Sequence, residues 1–273
     1  AKIGVVLFFA ARLCKREQYK KKPSKNRYSK PVELIRRFWY WSELNELWPL
    51  ILILAVVALL LIREPHLSAT ILIFAAAAAI LFAAGVKLFW FALGGGLGAV
   101  GVWLLLVVVG YNGSRIEMWK NPWADPGDKG YQIVQSLYAV ASGGLSGLGF
   151  GMSRQKFAYL PEEQNDYIFS IVCEEMGFIG AGIIIALFAL LVIRGYWLAL
   201  HARDRFGALT IVGITTLMAV QVFLNIAVVT NLIPSTGIAL PFFSYGGTAL
   251  MIQLLEMGVI LSVSRQIPAP KQG

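Results

Sequence analysis

Residues 159–180, YLPEEQNDYIFSIVCEEMGFIG, join a long polar, glycine-rich segment to a long apolar run. Three carboxylates, Glu162, Glu163 and Asp166, lie just before this run, which begins at Tyr167. Carboxylates at the rim of a membrane are costly to desolvate, and they mark functional sites more often than chance would place them there. We therefore interpret this junction as a candidate catalytic site at a membrane surface, facing the outside of the cell.

The composition indicates a membrane protein. Hydrophobic residues make up 58% of the 273 residues and charged residues only 14%, whereas a soluble domain averages roughly 25% charged residues. The net charge of +9 would suit a nucleic-acid partner, but the basic residues cluster between apolar runs, which favours a membrane topology instead. The cysteines Cys14 and Cys173 have neither metal-ligand spacing nor a disulfide pattern.

Apolar runs predict an all-α fold, a polytopic transmembrane helix bundle in which residues 1–273 form a single transmembrane domain. The first run is too short to span alone and is expected to be the end of a helix that begins before the chain does. The fifth run is expected to be one unbroken helix, and GGGLG in the fourth predicts close helix–helix contact. The runs are 3–13, 48–62, 69–86, 88–110, 167–193, 208–229 and 248–263.

The loops between the runs differ in charge. The basic segments 15–37 and 194–205 fall on one side of the predicted membrane, which the positive-inside rule makes cytoplasmic. The polar segment 111–166 falls on the other side, as one large extracytoplasmic loop with a short amphipathic helix around residues 133–140. Segment 230–247 shares that side, and its two prolines and paired glycines predict a re-entrant loop that lines a cavity.

Three long motifs resemble the SEDS family, whose members include FtsW, RodA and SpoVE. They are the sequence from NPWADPGDKGYQ to GFIG at 121–180, LIPSTGIALPFFSYGGT at 232–248 and the helix junction REPHLSATILI at 63–73. The resemblance implies a bundle of ten transmembrane helices, of which this chain would lack the first three. The motif PEEQND is closer to FtsW or SpoVE than to RodA.

The resemblance also implies a function. Family members are peptidoglycan glycosyltransferases of the bacterial plasma membrane that polymerise lipid II, with a class B penicillin-binding protein and other division or elongation complex proteins as partners. The family's essential aspartate corresponds to Asp166, in QNDYIF where many relatives read HTDFIF. Two departures are His66, where the family has an aspartate, and Glu256 in the last helix.

Polymerisation of lipid II requires a sugar hydroxyl to attack an anomeric carbon and expel undecaprenyl pyrophosphate. We predict that Asp166 is the general base, and a direct displacement of this kind inverts the anomeric centre. The leaving pyrophosphate needs positive charge, supplied by a basic side chain or by a divalent cation such as Mg²⁺ or Mn²⁺. The basic candidates on this side are Arg115, Lys120, Lys129, Arg154 and Lys156.

Other polar residues have weaker signals. Gln132 and Gln135, spaced i, i+3, are candidates to bind sugar hydroxyls or form the polar stripe of an amphipathic helix. Glu162 is a candidate for substrate or metal binding or a solvated charge, and Ser244 is a candidate in the cavity wall. Glu174 and the adjacent Glu175 are expected to be a buried structural pair. These six residues complete the candidate set from the sequence.

The sequence alone leaves three alternatives to this interpretation open. Asn165 or Asp166 would also serve as a helix cap. Discontinuous helices near the midplane would also suit a flippase of lipid-linked precursors. A third class is a scaffold that only recruits a penicillin-binding protein and would not need Asp166. A transporter should place its decisive charges deep in the bundle, whereas here they cluster at the rim, which favours the enzyme.

Overall fold

The computed structural model describes residues 2–14, 41–63, 67–107, 113–128, 130–155 and 165–267. The regular elements in these ranges are helices. In chain order they are α1 (Lys2–Cys14), α2 (Trp41–Arg63), α3 (Leu67–Ala83), α4 (Leu88–Val107), α5 (Gly113–Lys120), a 3-10 turn (Pro122–Ala124), α6 (Tyr131–Ser142), α7 (Ile168–His201), α8 (Arg205–Val229) and α9 (Gly247–Ser264). The basic loop 15–37 and His66 lie outside the described residues.

The described helices follow the predicted apolar runs. α7, α8 and α9 are each long and apolar enough to cross a membrane, and α2, α3 and α4 contain shorter apolar stretches. This confirms the predicted all-α, polytopic membrane class. α7 continues past the predicted end at residue 193. In this extension the Arg194 guanidinium lies 4.2 Å from the centroid of the Trp197 ring, and that ring stacks on His201 at 4.2 Å. Pairs of this spacing stabilise an additional helical turn.

α8 is the central helix of the bundle and packs against α1, α3 and α7. A Cβ added at Gly213 of α8 would lie 2.6 Å from Val6 and 2.7 Å from Ile80. One added at Gly195 of α7 would lie 2.4 Å from the Thr215 hydroxyl. Small residues at these crossings let the backbones approach closely, and such packing drives helix association where lipid removes the hydrophobic force.

The prediction for GGGLG in α4 is wrong within the described part of the chain. A Cβ added at any of the four glycines, Gly94, Gly95, Gly96 or Gly98, would meet no atom within 4 Å. Close contacts instead occur at the single glycines of α7 and α8, because those helices cross their neighbours there. A glycine cluster shows only that small residues are present. Whether they make a close helix–helix contact depends on which face of the helix meets a neighbouring helix.

The prediction of an unbroken fifth helix is also wrong. Gly177 interrupts α7 with φ +67° and ψ −170°, a conformation that L side chains rarely adopt. A Cβ at this position would lie 2.3 Å from Gly147 N. The backbone of residues 144–149 fills the interruption and supplies hydrogen-bond partners that the helix lacks there.

Residues 230–246, which we call the return segment, connect α8 to α9 and fold back along α8. Leu240 is 1% exposed within the bundle. Gln221 Nε2 of α8 donates to Ala239 O at 2.8 Å. Because Gln221 lies two helical turns before Val229 at the end of α8, the return segment descends by about 12 Å. Protein side chains satisfy its irregular backbone at this depth, as a membrane interior requires.

Candidate active site

A cavity of about 290 Å³ lies where the start of α7 meets α5, α6 and the return segment. We call it the Asp166 cavity. The residues that line it are Arg115, Met118, Gln132, Ile133, Asp166, Tyr167, Ser235 and Gly237. Three candidates that lie far apart in the sequence, Arg115, Gln132 and Asp166, therefore share one polar cavity.

The carboxylate of Asp166 lies against the return segment. A Cβ added at Gly237 would be 3.5 Å from Asp166 Oδ2. That distance is an ordinary van der Waals contact, but Gly237 has φ +66°, so a side chain here would strain the backbone. The glycine therefore permits the left-handed turn of the main chain beside the carboxylate.

Arg115 supplies positive charge to the same cavity. It is exposed on α5, and its Nη1 donates to Ser235 O at 3.5 Å. This weak bond leaves most of the guanidinium's donors for other partners, because the group carries five N–H donors. An arginine beside a polar cavity suits an anionic ligand such as a phosphate group.

Tyr167 forms the wall of the Asp166 cavity beside the carboxylate and is 2% exposed. Burial raises the pKa of its phenol to about 12, the negative charge of Asp166 adds to this, and the positive charge of Arg115 opposes it. The phenol therefore stays protonated at neutral pH. Of these two acidic side chains, Asp166 is the one suited to accept a proton.

Asn225 of α8 holds the two halves of the site together. Its Nδ2 donates to the backbone carbonyls of Asp166 and of Ile238, each at 2.7 Å, and the residue is 1% exposed. An amide nitrogen has two hydrogens, so this group is fully used. One buried side chain thus ties the start of α7 to the return segment.

The other predicted substrate-binding residues are placed differently. Gln132 lines the Asp166 cavity, whereas Gln135, half-buried on the same helix, is not among its lining residues. The Ser244 hydroxyl donates to Asn165 O at 2.6 Å and accepts from Leu240 N at 2.7 Å. These bonds brace the backbone next to Asp166, so they favour a structural role for Ser244 over contact with a sugar.

Several basic and acidic candidates do not contribute to the cavity lining. Lys120 and Arg154 are exposed and lie outside it. Lys129, Lys156 and Glu162 lie outside the described residues, together with Glu163.

Glu174 has a structural role, as expected for a buried residue. It is 1% exposed and accepts hydrogen bonds from Ser153 Oγ, from Arg154 N at 3.1 Å and from Gln155 N at 3.4 Å. Glu175 is only half-buried. The carboxylate of Glu174 thus fixes residues 153–155 against α7, upstream of the segment that leads to Asp166.

Few of the described residues could ligate the predicted divalent cation. They contain no group of three His, Cys, Asp or Glu side chains that would hold a metal ion. Asp166 is the one carboxylate among the cavity-lining residues. Mg²⁺ is often held by one or two carboxylates together with substrate phosphates, and a single aspartate fits that kind of site only.

The sequence interpretation missed Asn225, Ser235 and Gly237. A signal existed for Asn225, since it is a polar residue within the apolar run LNIAVV, and polar residues within membrane segments are functional candidates by default. Ser235 and Gly237 contribute through backbone position, and their part in the cavity depends on how the return segment folds.

Comparison with known proteins places these features in context. The family model FTSW_RODA_SPOVE, described as a cell cycle protein, matches residues 1–268. The chain is 47% identical over 207 residues to stage V sporulation protein E of Bacillus subtilis (strain 168), covering 76% of this chain and 57% of that protein. It is 44% identical over 221 residues to the probable peptidoglycan glycosyltransferase FtsW of Geobacter sp. (strain M18), covering 81% and 60%. The chain thus spans less than two thirds of these curated relatives.

Solved structures of related proteins also resemble this chain. One, described as structural coordination of polymerization and crosslinking by a peptidoglycan synthase complex, matches with TM-score 0.68 and 27% identity, over 99% of this chain and 70% of that chain. The rod shape determining protein RodA of Thermus thermophilus matches with TM-score 0.59 and 25% identity, over 99% and 65%.

Proposed function

The chain belongs to the FtsW, RodA and SpoVE family of cell cycle proteins, and we propose that it serves as a peptidoglycan glycosyltransferase that polymerises lipid II. One observation carries the proposal: a carboxylate, Asp166, and an arginine, Arg115, line the same polar cavity. Relatives named as stage V sporulation protein E and FtsW support a role in sporulation or cell division.

In the proposed reaction, a hydroxyl oxygen of the acceptor sugar attacks the anomeric carbon of a lipid-linked donor. Asp166 takes the hydroxyl proton as the new glycosidic bond forms, which is worth roughly 100- to 10,000-fold in rate. The bond from the anomeric carbon to the pyrophosphate oxygen breaks, and its electron pair leaves with the undecaprenyl pyrophosphate. A single displacement of this kind inverts the anomeric centre.

Arg115 is the proposed partner of the leaving pyrophosphate. Its guanidinium would stabilise the negative charge that develops on the leaving oxygens. Asp166 would help to hold a divalent cation, Mg²⁺ or Mn²⁺, which would supply further positive charge for the leaving pyrophosphate. Gln132 lines the same cavity and would donate to a sugar hydroxyl.

The protein's partners and location are part of the same proposal. A class B penicillin-binding protein is the proposed partner, and the similarity to a chain from a peptidoglycan synthase complex supports it. Further proteins of the division or elongation complex would assemble with the pair. The proposed location is the bacterial plasma membrane, with the Asp166 cavity on its extracytoplasmic side.

A polymerisation assay tests the activity. The full-length protein, purified with its penicillin-binding partner, is expected to convert lipid II into glycan strands resolved by gel electrophoresis. A non-polymerising preparation that moves lipid II across liposome membranes would support the flippase alternative instead. A preparation that does neither, yet still activates its partner's crosslinking, would indicate a scaffold.

The sidedness is tested separately by thiol labelling in whole cells. Single cysteines at Gly127 and Arg203, both exposed positions, are introduced after Cys14 and Cys173 are replaced. A membrane-impermeant maleimide is expected to label position 127 in intact cells and position 203 only after lysis, because basic loops stay cytoplasmic. Labelling of position 203 in intact cells would contradict the proposed orientation.

A further inference from the structure

Residues 144–149 pair with α7 far below its start. Leu148 N donates to Glu174 O and Gly149 N donates to Glu175 O, both at 3.0 Å. In the opposite direction, Phe178 N donates to Gly144 O at 2.9 Å, and Ile179 N donates to Leu145 O. These partners lie six to eleven residues into α7, which corresponds to about 9–16 Å along the helix.

The depth of this contact follows from the other end of α7. Arg194 is the first charged residue of α7 after Glu175, and we take it as the boundary of the hydrocarbon layer. Phe178 lies sixteen residues earlier, about 24 Å away along the uninterrupted part of the helix, and Glu174 lies beyond the break at Gly177. The hydrocarbon layer of a bilayer is about 30 Å thick. Residues 144–149 therefore lie at its opposite boundary, just within the acyl chains.

Three large apolar side chains in this segment and directly after it are exposed. Leu145, Phe150 and Met152 are 72%, 79% and 67% exposed. They continue the apolar surface of α7, on which Phe178 is 73% and Ile179 is 59% exposed. Large apolar side chains are exposed in this way when lipid or a partner covers them. Continuity with the lipid-facing surface of a spanning helix favours lipid.

The backbone of the segment is also suited to lipid. An irregular segment tolerates the hydrocarbon boundary only where its N–H and C=O groups are satisfied within the protein. Here the interruption of α7 at Gly177 exposes helix backbone groups that pair with residues 144–149 in both directions. The backbone groups freed by the break in α7 and those of residues 144–149 therefore satisfy each other's hydrogen bonds.

We propose that residues 144–152 form a membrane-embedded loop whose apolar side chains contact the acyl chains of the leaflet opposite Arg194. The segment lies within the polar region 111–166, which the sequence predicts to be one large extracytoplasmic loop. Its inserted position would fix the chain at the lipid boundary before it continues towards Asp166. The inference depends on α7 spanning the membrane and not on the proposed activity.

Spin labels at single cysteines test this depth in proteoliposomes of the full-length protein. Labels at Leu145 and Phe150 are expected to show the high oxygen and low nickel-chelate accessibility of a label at Phe178. The matched control is Gly127, exposed in the polar region between α5 and α6, where the nickel chelate should dominate. None of these four positions is among the residues that line the Asp166 cavity.

Two results would overturn the proposal. Labels at positions 145 and 150 that match the Gly127 control would place the loop in water. Labels that are water-accessible in the protein alone and lose access to both reagents in complex with the penicillin-binding partner would assign the surface to that partner instead of lipid. Near-native melting of each labelled variant confirms that the fold is intact.

Discussion

Replacing Asp166 with asparagine is expected to slow glycan polymerisation by about 100- to 10,000-fold while the protein stays folded. Asparagine keeps the size of the side chain but loses its negative charge and its ability to accept a proton. The hydrogen bond from Asn225 goes to the backbone carbonyl of Asp166, so the substitution leaves that bond in place. The measurement is the initial rate of lipid II consumption by the full-length complex.

The helix-cap alternative predicts a different result for the same variant. Asparagine caps a helix about as well as aspartate, so a capping role would leave rate and stability nearly unchanged. The structure places Tyr167, not Asp166, at the N-cap of α7. A near-native rate for D166N, with the fold intact, would contradict the general-base assignment.

Asp128→Asn is the matched control for charge. Asp128 lies in the same polar region, is exposed, and is not among the residues that line the Asp166 cavity. The variant changes the net charge by the same amount, so it should polymerise lipid II at the native rate. An equal loss in both variants would point to an effect of overall charge and not of the cavity.

Much of the fold was predictable because membrane helices are specified by local composition. The apolar runs predicted α7, α8 and α9 within a few residues at most ends, since lipid requires long apolar helices whatever their neighbours. The amphipathic spacing around residues 133–140 likewise predicted α6 (Tyr131–Ser142), which buries Ile133 and Val134.

The errors share a physical cause, which is that they depend on contacts between distant segments. The break at Gly177 is stabilised by hydrogen bonds to residues 144–149, and an apolar sequence continuing on both sides gives no sign of it. Whether GGGLG makes a close contact depends on which helix lies beside α4. Periodicity describes one helix at a time, so it cannot report either feature.

The candidate site was predictable only in part, because some of its residues come together only through contacts between distant segments. Asp166 followed from a family motif and from its position at a membrane rim, which are both properties of the sequence. That Arg115 and Gln132 share its cavity required the fold, because they approach from α5 and α6. Asn225 is the clearest omission, since its role arises from two carbonyls that are 59 and 13 residues away in the chain.

Replacing Asn225 with leucine is expected to lower the rate of polymerisation by about 100-fold, mainly through kcat. Leucine has a similar volume but no donor, so the carbonyls of Asp166 and Ile238 lose their partner at a buried position. Each unsatisfied carbonyl costs roughly 1–3 kcal/mol, and the backbone is expected to shift to relieve it. A displacement of about 1 Å at a catalytic group is enough to cost 100-fold.

Gln221→Leu is the control that separates positioning of Asp166 from general loss of stability. Gln221 lies one turn earlier on α8 and donates to Ala239 O of the same return segment, at 2.8 Å. It has no hydrogen bond to Asp166, so its variant should lose stability of the return segment with a smaller change in kcat. Equal kcat for Asn225→Leu and Gln221→Leu, measured at matched thermal stability and saturating lipid II, would show that Asn225 acts only through the fold. A selective loss of kcat in Asn225→Leu, with KM unchanged, is the outcome expected of a residue that holds the proposed catalytic aspartate in place.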